Sequence, residues 1–301
     1  MLKTPLSTVI GGAFWTPSAT ILGSASKTFN QLIQSLFANS EQGFVYDPND
    51  LTTMFQDAAG TVPVTGAGQP VGLMLDKSKS LILGSELKQS ALARVTGTAP
   101  VATYDSATGV GTVNRVDISN QSFSVFNHAV GEKWYKVSIT NNGAVAIQLR
   151  NATMSSVSAT LASIPPNTTF SGYVYVVSGF LLSVASSLGE GSFTVNSIKE
   201  IAGNHAYQTT SSMRPLLVAS PQRLDYDTVD DKLITNLPSQ LTGCTVIRSV
   251  SNVGTQFLTN QTIPTTYNDN TDHCGLVVIN RALTATETSQ ITNLFNRAAG
   301  V

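Results

Sequence analysis

The sequence predicts a mainly β protein with a helix near each end. Three observations predict it. Between residues 80 and 202, seven short runs rich in Val, Ile, Thr, Tyr and Phe follow one another, each bounded by Gly, Asn, Pro or Ser. Ser and Thr make up roughly a quarter of the chain and charged residues only 12%, so the surface is built largely from hydroxyls and amides, which favours strands. Helical spacing of apolar residues is confined to two stretches, one ending near residue 38 and one closing the chain. Seven strands over roughly 120 residues imply a two-sheet sandwich of the jelly-roll type.

In chain order, Pro5, Gly11, Gly12 and Pro17 break the opening segment. Ser24–Ala38 then reads as a helix, capped by Ser24 or Ser26, with Phe29, Leu32, Ile33, Leu36 and Phe37 recurring at three and four residues. That stripe must be covered, either by the chain's own body or by docking onto another subunit through Phe29, Leu32, Ile33 and Leu36. Residues 41–79 are rich in loops. Gly66, Gly68 and Gly72 lack the spacing and the following helix of a phosphate loop, so they read as turns, and Gly72–Asp76 reads as a strand.

The seven middle runs are Gly111–Ser119, Lys133–Asn141, Val145–Asn151, Met154–Leu161, Thr169–Val177, Phe180–Ser186 and Ser192–Ile201. In the fifth, Phe170, Gly172, Val174 and Val176 share one face, and Tyr173, Tyr175 and Val177 the other, so both faces read as partly covered. Further strands follow at Cys244–Val250, Thr255–Leu258 and Cys274–Ile279. The closing helix has a Thr284/Glu287 capping box, a stripe of Ile291, Leu294, Phe295 and Ala298, and Gly300 where a left-handed cap belongs.

The net charge of −1 offers no electrostatic case for nucleic acid or anionic lipid. No apolar run reaches the roughly 18 residues of a membrane helix, and Ser7 and Thr8 interrupt the only apolar start, so no signal peptide is read. Cys244 and Cys274 lack metal-ligand spacing and read as two half-buried thiols at neighbouring strand ends, with a disulfide as the alternative.

No catalytic motif surrounds the three histidines, His128, His205 and His273, and the glutamates are scattered, so the chain does not read as an enzyme. A glycosidase would need two carboxylates converging at roughly 5–10 Å, and nothing in the spacing points to such a pair. Two acid- and amide-rich loops are candidates for calcium: Asp225, Asp227, Asp230 and Asp231, and Asn268, Asp269, Asn270 and Asp272. The competing reading is turn-forming side chains bonded to their own backbone. No other cofactor is expected. Sugar binding would use an aromatic face ringed by amides and carboxylates, for which Trp134, Tyr135, Tyr173, Tyr175, Tyr207 and Tyr267 are available. The competing reading covers these rings with a sheet or an intersubunit contact.

Several runs together resemble one family. They are residues 38–64, Gln69–Ser78 with its Leu-Asp-Lys-Ser ending, Gly203–Ala206 (Gly-Asn-His-Ala), Arg214-Pro215, Leu224–Asp231, and Asp272–Thr284 with Glu287. They are similar to tailed-phage and prophage virion proteins that carry a concanavalin A-like, laminin-G-type lectin sandwich. In that family the Leu-Asp-Lys-Ser and Gly-Asn-His-Ala runs lie a few residues apart, whereas here more than 120 separate them. The resemblance therefore implies a lectin-like β-sandwich split by an inserted jelly roll: a docking segment at 1–40, a trimmed lectin-like domain at 41–79 and 203–301, and the insert at 80–202. Only about 40 residues separate Asp231 from Asp272, short for a complete laminin-G sandwich.

The family implies a structural component of a phage virion, in the tail fibre, tail tip or baseplate, assembled in the host cytoplasm. Its expected partners are other virion proteins, copies of itself (a trimer before a dimer) and host surface glycan. A secreted or surface bacterial carbohydrate-binding protein is the rival expectation, and a polysaccharide depolymerase the third. The uncharged runs Tyr173–Val177 and Phe180–Ala185 are read either as central strands or as edges that a neighbouring subunit covers, because exposed edge strands without Lys or Pro need cover; the second reading adds a physical argument for oligomers.

Overall fold

The computed structural model describes residues 27–88, 102–115, 122–123, 132–152, 157–177, 179–184 and 189–301. The opening segment to residue 26, with Ser24 and Ser26, lies outside the described residues, as do His128 and parts of three expected strands. The described residues are mainly β, in antiparallel sheets that build two packed bodies.

The outer body takes its strands from both ends of the described chain. One sheet runs in the order Gly43–Tyr46, Gly275–Ile279, Leu241–Val250, Gly254–Ile263. Its first two strands are buried at every position. Alternation explains this run of apolar residues. Phe44, Tyr46, Leu276 and Val278 point into a core shared with Met54, Met74, Leu217, Leu224 and Leu233. Val45, Val277 and Ile279 point the other way, against two helices. A second sheet carries Met54–Phe55, Leu73–Met74, Ala206–Tyr207, Leu233–Asn236 and Thr266–Asp269 in that order.

The two helices are α1, Phe29–Leu36, and α2, Ala285–Ala299. Thr28, rather than Ser24 or Ser26, caps α1, because Gln31 stands three residues on and completes a reciprocal capping box. Leu32, Ile33 and Leu36 are buried against the outer sheet and α2, each burial removing roughly 1.5–3 kcal/mol of apolar surface from water. Phe29 stacks on Phe295 with ring centroids 6.1 Å apart. The expectation of a docking stripe is therefore corrected: this chain itself covers Phe29, Leu32, Ile33 and Leu36. Helix α2 begins at the Thr284/Glu287 box and ends at Gly300 with φ +82°. In its last turn the buried residue is Ala299 rather than Ala298.

The middle body, residues 83–201, pairs two sheets across one core. The larger sheet runs Thr169–Val176, Lys133–Asn141, Gly189–Ile201, Val110–Arg115, Ala102–Tyr104, with Leu83–Glu86 also on Gly189–Ile201. The smaller runs Val157–Ile164, Ile147–Ala152, Phe180–Val184, Ser122–Phe123. Val137, Ile139, Val174, Phe193 and Val195 from one sheet meet Ile147, Leu149, Ile164 and Leu182 from the other. The entering and leaving strands pair antiparallel, Lys199 opposite Glu86 and Ile201 opposite Leu83, so both ends of this body leave at one place.

Phe180–Val184 is central in its sheet, so it exposes no edge. Thr169–Val176 is an edge strand, but the outer body covers part of it: Tyr173 N–H donates to Ala59 O at 2.7 Å. Gly172 allows that approach, since a Cβ there would sit 2.3 Å from Ala59 O. Cys244 and Cys274 are buried and free. They sit on adjacent antiparallel strands but at opposite ends, since Thr245 pairs with Ile279 and Ser249 with Gly275. Several rungs of about 3.3 Å separate them, well beyond disulfide reach.

Candidate functional site

The two bodies meet in an aromatic seam. In Lys133–Asn141, Tyr135, Val137 and Ile139 face the core of the middle body, which turns Trp134 and Lys136 outward. In Thr169–Val176, Val174 and Val176 face inward and Tyr173 and Tyr175 outward. Register places Tyr175 opposite Trp134 and Tyr173 opposite Lys136. The outward face then meets Phe55, Leu73, Leu75 and Tyr207 of the outer body. Ring centroids lie 5.4 Å apart for Trp134–Tyr175 and for Phe55–Tyr173, 5.5 Å for Trp134–Tyr207 and 6.0 Å for Tyr175–Tyr207. Four of the six aromatics available for sugar binding, Trp134, Tyr173, Tyr175 and Tyr207, thus converge, while Tyr135 faces the core of the middle body. They do so as an interface between bodies, not as an open platform, because alternation put them on the face that the outer body covers. Tyr267 stands apart, packed on Phe44 with its hydroxyl accepting from Arg248 at 2.9 Å.

At the rim of the seam the bodies part into a cleft of about 220 Å³, with Glu132, Trp134, Tyr175, Glu200, Asn204 and Asn236 in its walls. Tyr175 donates to Glu132 at 2.8 Å, and burial together with that carboxylate holds its hydroxyl protonated far above neutral pH. Lys133 pairs with Glu200 at 2.8 Å across the half-exposed rim. Asn236 Nδ2 donates to the Tyr207 hydroxyl at 3.0 Å. The cleft thus combines aromatic walls with amide and carboxylate groups, the set that recognises a polyhydroxylated ring.

Behind the cleft lies the root of the middle body. The buried Asp76 carboxylate accepts four hydrogen bonds at 2.8 Å, from Val45 N, Ser78 N, Ser78 Oγ and Asn204 N. Burial without a cation pushes its pKa up to about 6, against the opposing pull of these donors. Asp76 N–H donates to His205 Nδ1 at 2.9 Å, which places the neutral ring's proton on Nε2. Burial lowers the His205 pKa to about 3. Neither residue was among the expected site residues, although both lie in the Leu75–Ser78 and Gly203–Ala206 runs.

The six acids considered for calcium do not form one site. Asp227 and Asp230 converge with Asp231, their nearest oxygens all within 4.8 Å of one another. Asp227 Oδ1 already accepts three backbone N–H groups, from Val229, Asp230 and Asp231, as a turn former does. Asp225 pairs with Arg223 at 2.9 Å, and Asp272 accepts from Tyr226 N at 2.8 Å. Asp269 is buried, taking Tyr226 Oη and bonding His273 Nε2, both at 2.8 Å. That acid–histidine pair is sealed from solvent on both sides, so a substrate has no access to it.

No family model, curated protein or solved structure matches this chain.

Proposed function

We propose that the chain is a structural component of a tailed-phage virion, in the tail fibre, tail tip or baseplate, built as a trimmed lectin-like sandwich carrying a jelly roll. It makes assembly contacts with other virion proteins and with copies of itself, a trimer on family resemblance, and binds host surface glycan. The observation that carries this reading is the mounting of the middle body. Both of its ends are tied to one buried carboxylate, and its aromatic face is locked onto the outer body. Such a mount resists bending between bodies, which a load-bearing, glycan-presenting protein requires. The motif runs that resemble those of virion proteins, the low charge and the polar–aromatic cleft support the same reading.

Locating the chain in purified particles tests it. Cryo-EM density for both bodies in the tail is expected. Recovery of the chain as free protein in the medium, with none in particles, would favour the secreted carbohydrate-binding rival and overturn the virion role.

A further inference from the structure

Two buried N–H donors in the seam have no hydrogen-bond acceptor: Trp134 Nε1 and His205 Nε2. Trp134 is only 4% exposed and His205 fully buried, and their rings lie 5.4 Å apart. An unmade hydrogen bond on a buried donor costs on the order of 1–3 kcal/mol, so a pair of them side by side asks for an acceptor. Ring faces nearby, such as Tyr207 against the edge of Trp134, are weak substitutes. Of the two residues, Trp134 forms part of the cleft wall and His205 does not.

The surrounding groups narrow the ligand. Both orphan groups are donors, which argues against an ammonium ligand despite the aromatic walls. The rim carries Glu132 and Glu200, with Lys133 already paired to Glu200, which argues against an anion. What remains is a neutral ligand offering acceptors to the cleft floor and hydroxyl donors to the rim carboxylates and the Asn204 and Asn236 amides. We propose that the seam cleft holds one neutral sugar unit of a glycan, with a ring or hydroxyl oxygen accepting from Trp134 Nε1–H. Tyr175 supplies the apolar wall for the sugar's C–H face. The proposal rests on the glycan-binding part of the proposed function and adds the place, the charge class and the recognition groups.

The test uses the full chain with Trp15→Phe, which leaves Trp134 as the sole tryptophan. Its indole ¹⁵N–¹H signal is followed while neutral methyl glycosides of glucose, galactose, mannose and N-acetylglucosamine are added to tens of millimolar, with glycerol as the control and calorimetry in parallel. The expected result is a saturable shift of the Trp134 signal with at least one glycoside and none with glycerol. Glu132→Gln, which keeps an acceptor for Tyr175 and leaves the cores untouched, is expected to weaken binding several-fold with an unchanged melting temperature. Heat of binding with a motionless Trp134 signal would place the sugar elsewhere, overturning the cleft site while the glycan-binding reading stands. No heat with any glycoside would overturn both, and an equal shift with glycerol would mark an adventitious additive only and overturn the cleft site.

Discussion

Asn204 N–H donates to the Asp76 carboxylate at 2.8 Å, joining two residues 128 positions apart in sequence. Ser78 bonds the same carboxylate through its N–H and its hydroxyl, so the chain enters and leaves the middle body at one buried charge. Gly203, at φ +132°, makes the close passage: a Cβ there would lie 2.9 Å from the His205 ring and 3.1 Å from Asp76 Oδ2.

Asp76→Ala strands four buried donors and is expected to cost about 3 kcal/mol or more in urea denaturation. A loss below about 1 kcal/mol would show that the root does not depend on this carboxylate.

The root also sets a pH dependence. Asp76 titrates at about 6 when folded against an ordinary 3.8, so its contribution is fully present below about 3.8 and is lost as pH rises through 6. His205 has the opposite sign: its pKa near 3 against 6.5 gives a contribution present above 6.5 and lost as pH falls through 3. The two slopes oppose each other between about pH 6 and pH 4. In Asp76→Asn only the histidine slope remains, so the variant's stability is expected to fall more steeply on acidification across that window than the parent's. Parallel curves from equilibrium denaturation at stepped pH would refute this.

A third prediction concerns the closing helix. Glu287 caps α2 and takes both Arg281 terminal nitrogens, at 2.8 and 3.0 Å, which holds its pKa down to about 2. Its contribution is present above about pH 4.5 and lost as pH falls through 2. Discounted for partial solvent exposure, Glu287→Gln is expected to cost about 1–2 kcal/mol at neutral pH. The gap between parent and variant narrows in acid, as thermal melts at pH 7 and pH 2.5 would register.

Leu32→Asp with Leu36→Asp buries carboxylates against Ile247, Val277 and Phe295. The isolated protein is expected to unfold or to lose several kcal/mol. Normal melting of the double variant would restore the docking role to this stripe.

A fifth prediction removes residues 80–202 and joins the ends with a short Gly/Ser linker. Ser78 N and Asn204 N bond one carboxylate and so lie within about 8 Å, a span for two or three residues. The remainder is expected to fold cooperatively, with Phe55 and Tyr207 newly exposed and binding of a hydrophobic dye increased. Loss of a cooperative melt would show that the outer body needs the seam to fold.

Local physics was readable from the sequence. Thr284 and Glu287 announced their capping box, and the strand Lys133–Asn141 stands at its expected bounds, because a cap and a period of two depend on near neighbours. The same alternation separated Val174 and Val176 from Tyr173 and Tyr175. Alternation tells which residues share a face, but not what covers it. That Phe55 and Tyr207, far away in sequence, close over Tyr173 and Tyr175 was decided by tertiary packing. So was the dispersal of the acids: Asp269 went to Tyr226 and His273, Asp225 to Arg223, and only Asp227, Asp230 and Asp231 stayed together. Asp76 and His205 had their chemistry set the same way. A short run such as Leu-Asp-Lys-Ser carries no sign of burial, and the donors that hold its carboxylate come from residues 45, 78 and 204 at once. Sequence patterns encode contacts three or four residues apart, whereas desolvation and hydrogen bonding at a buried charge depend on groups that only folding brings together.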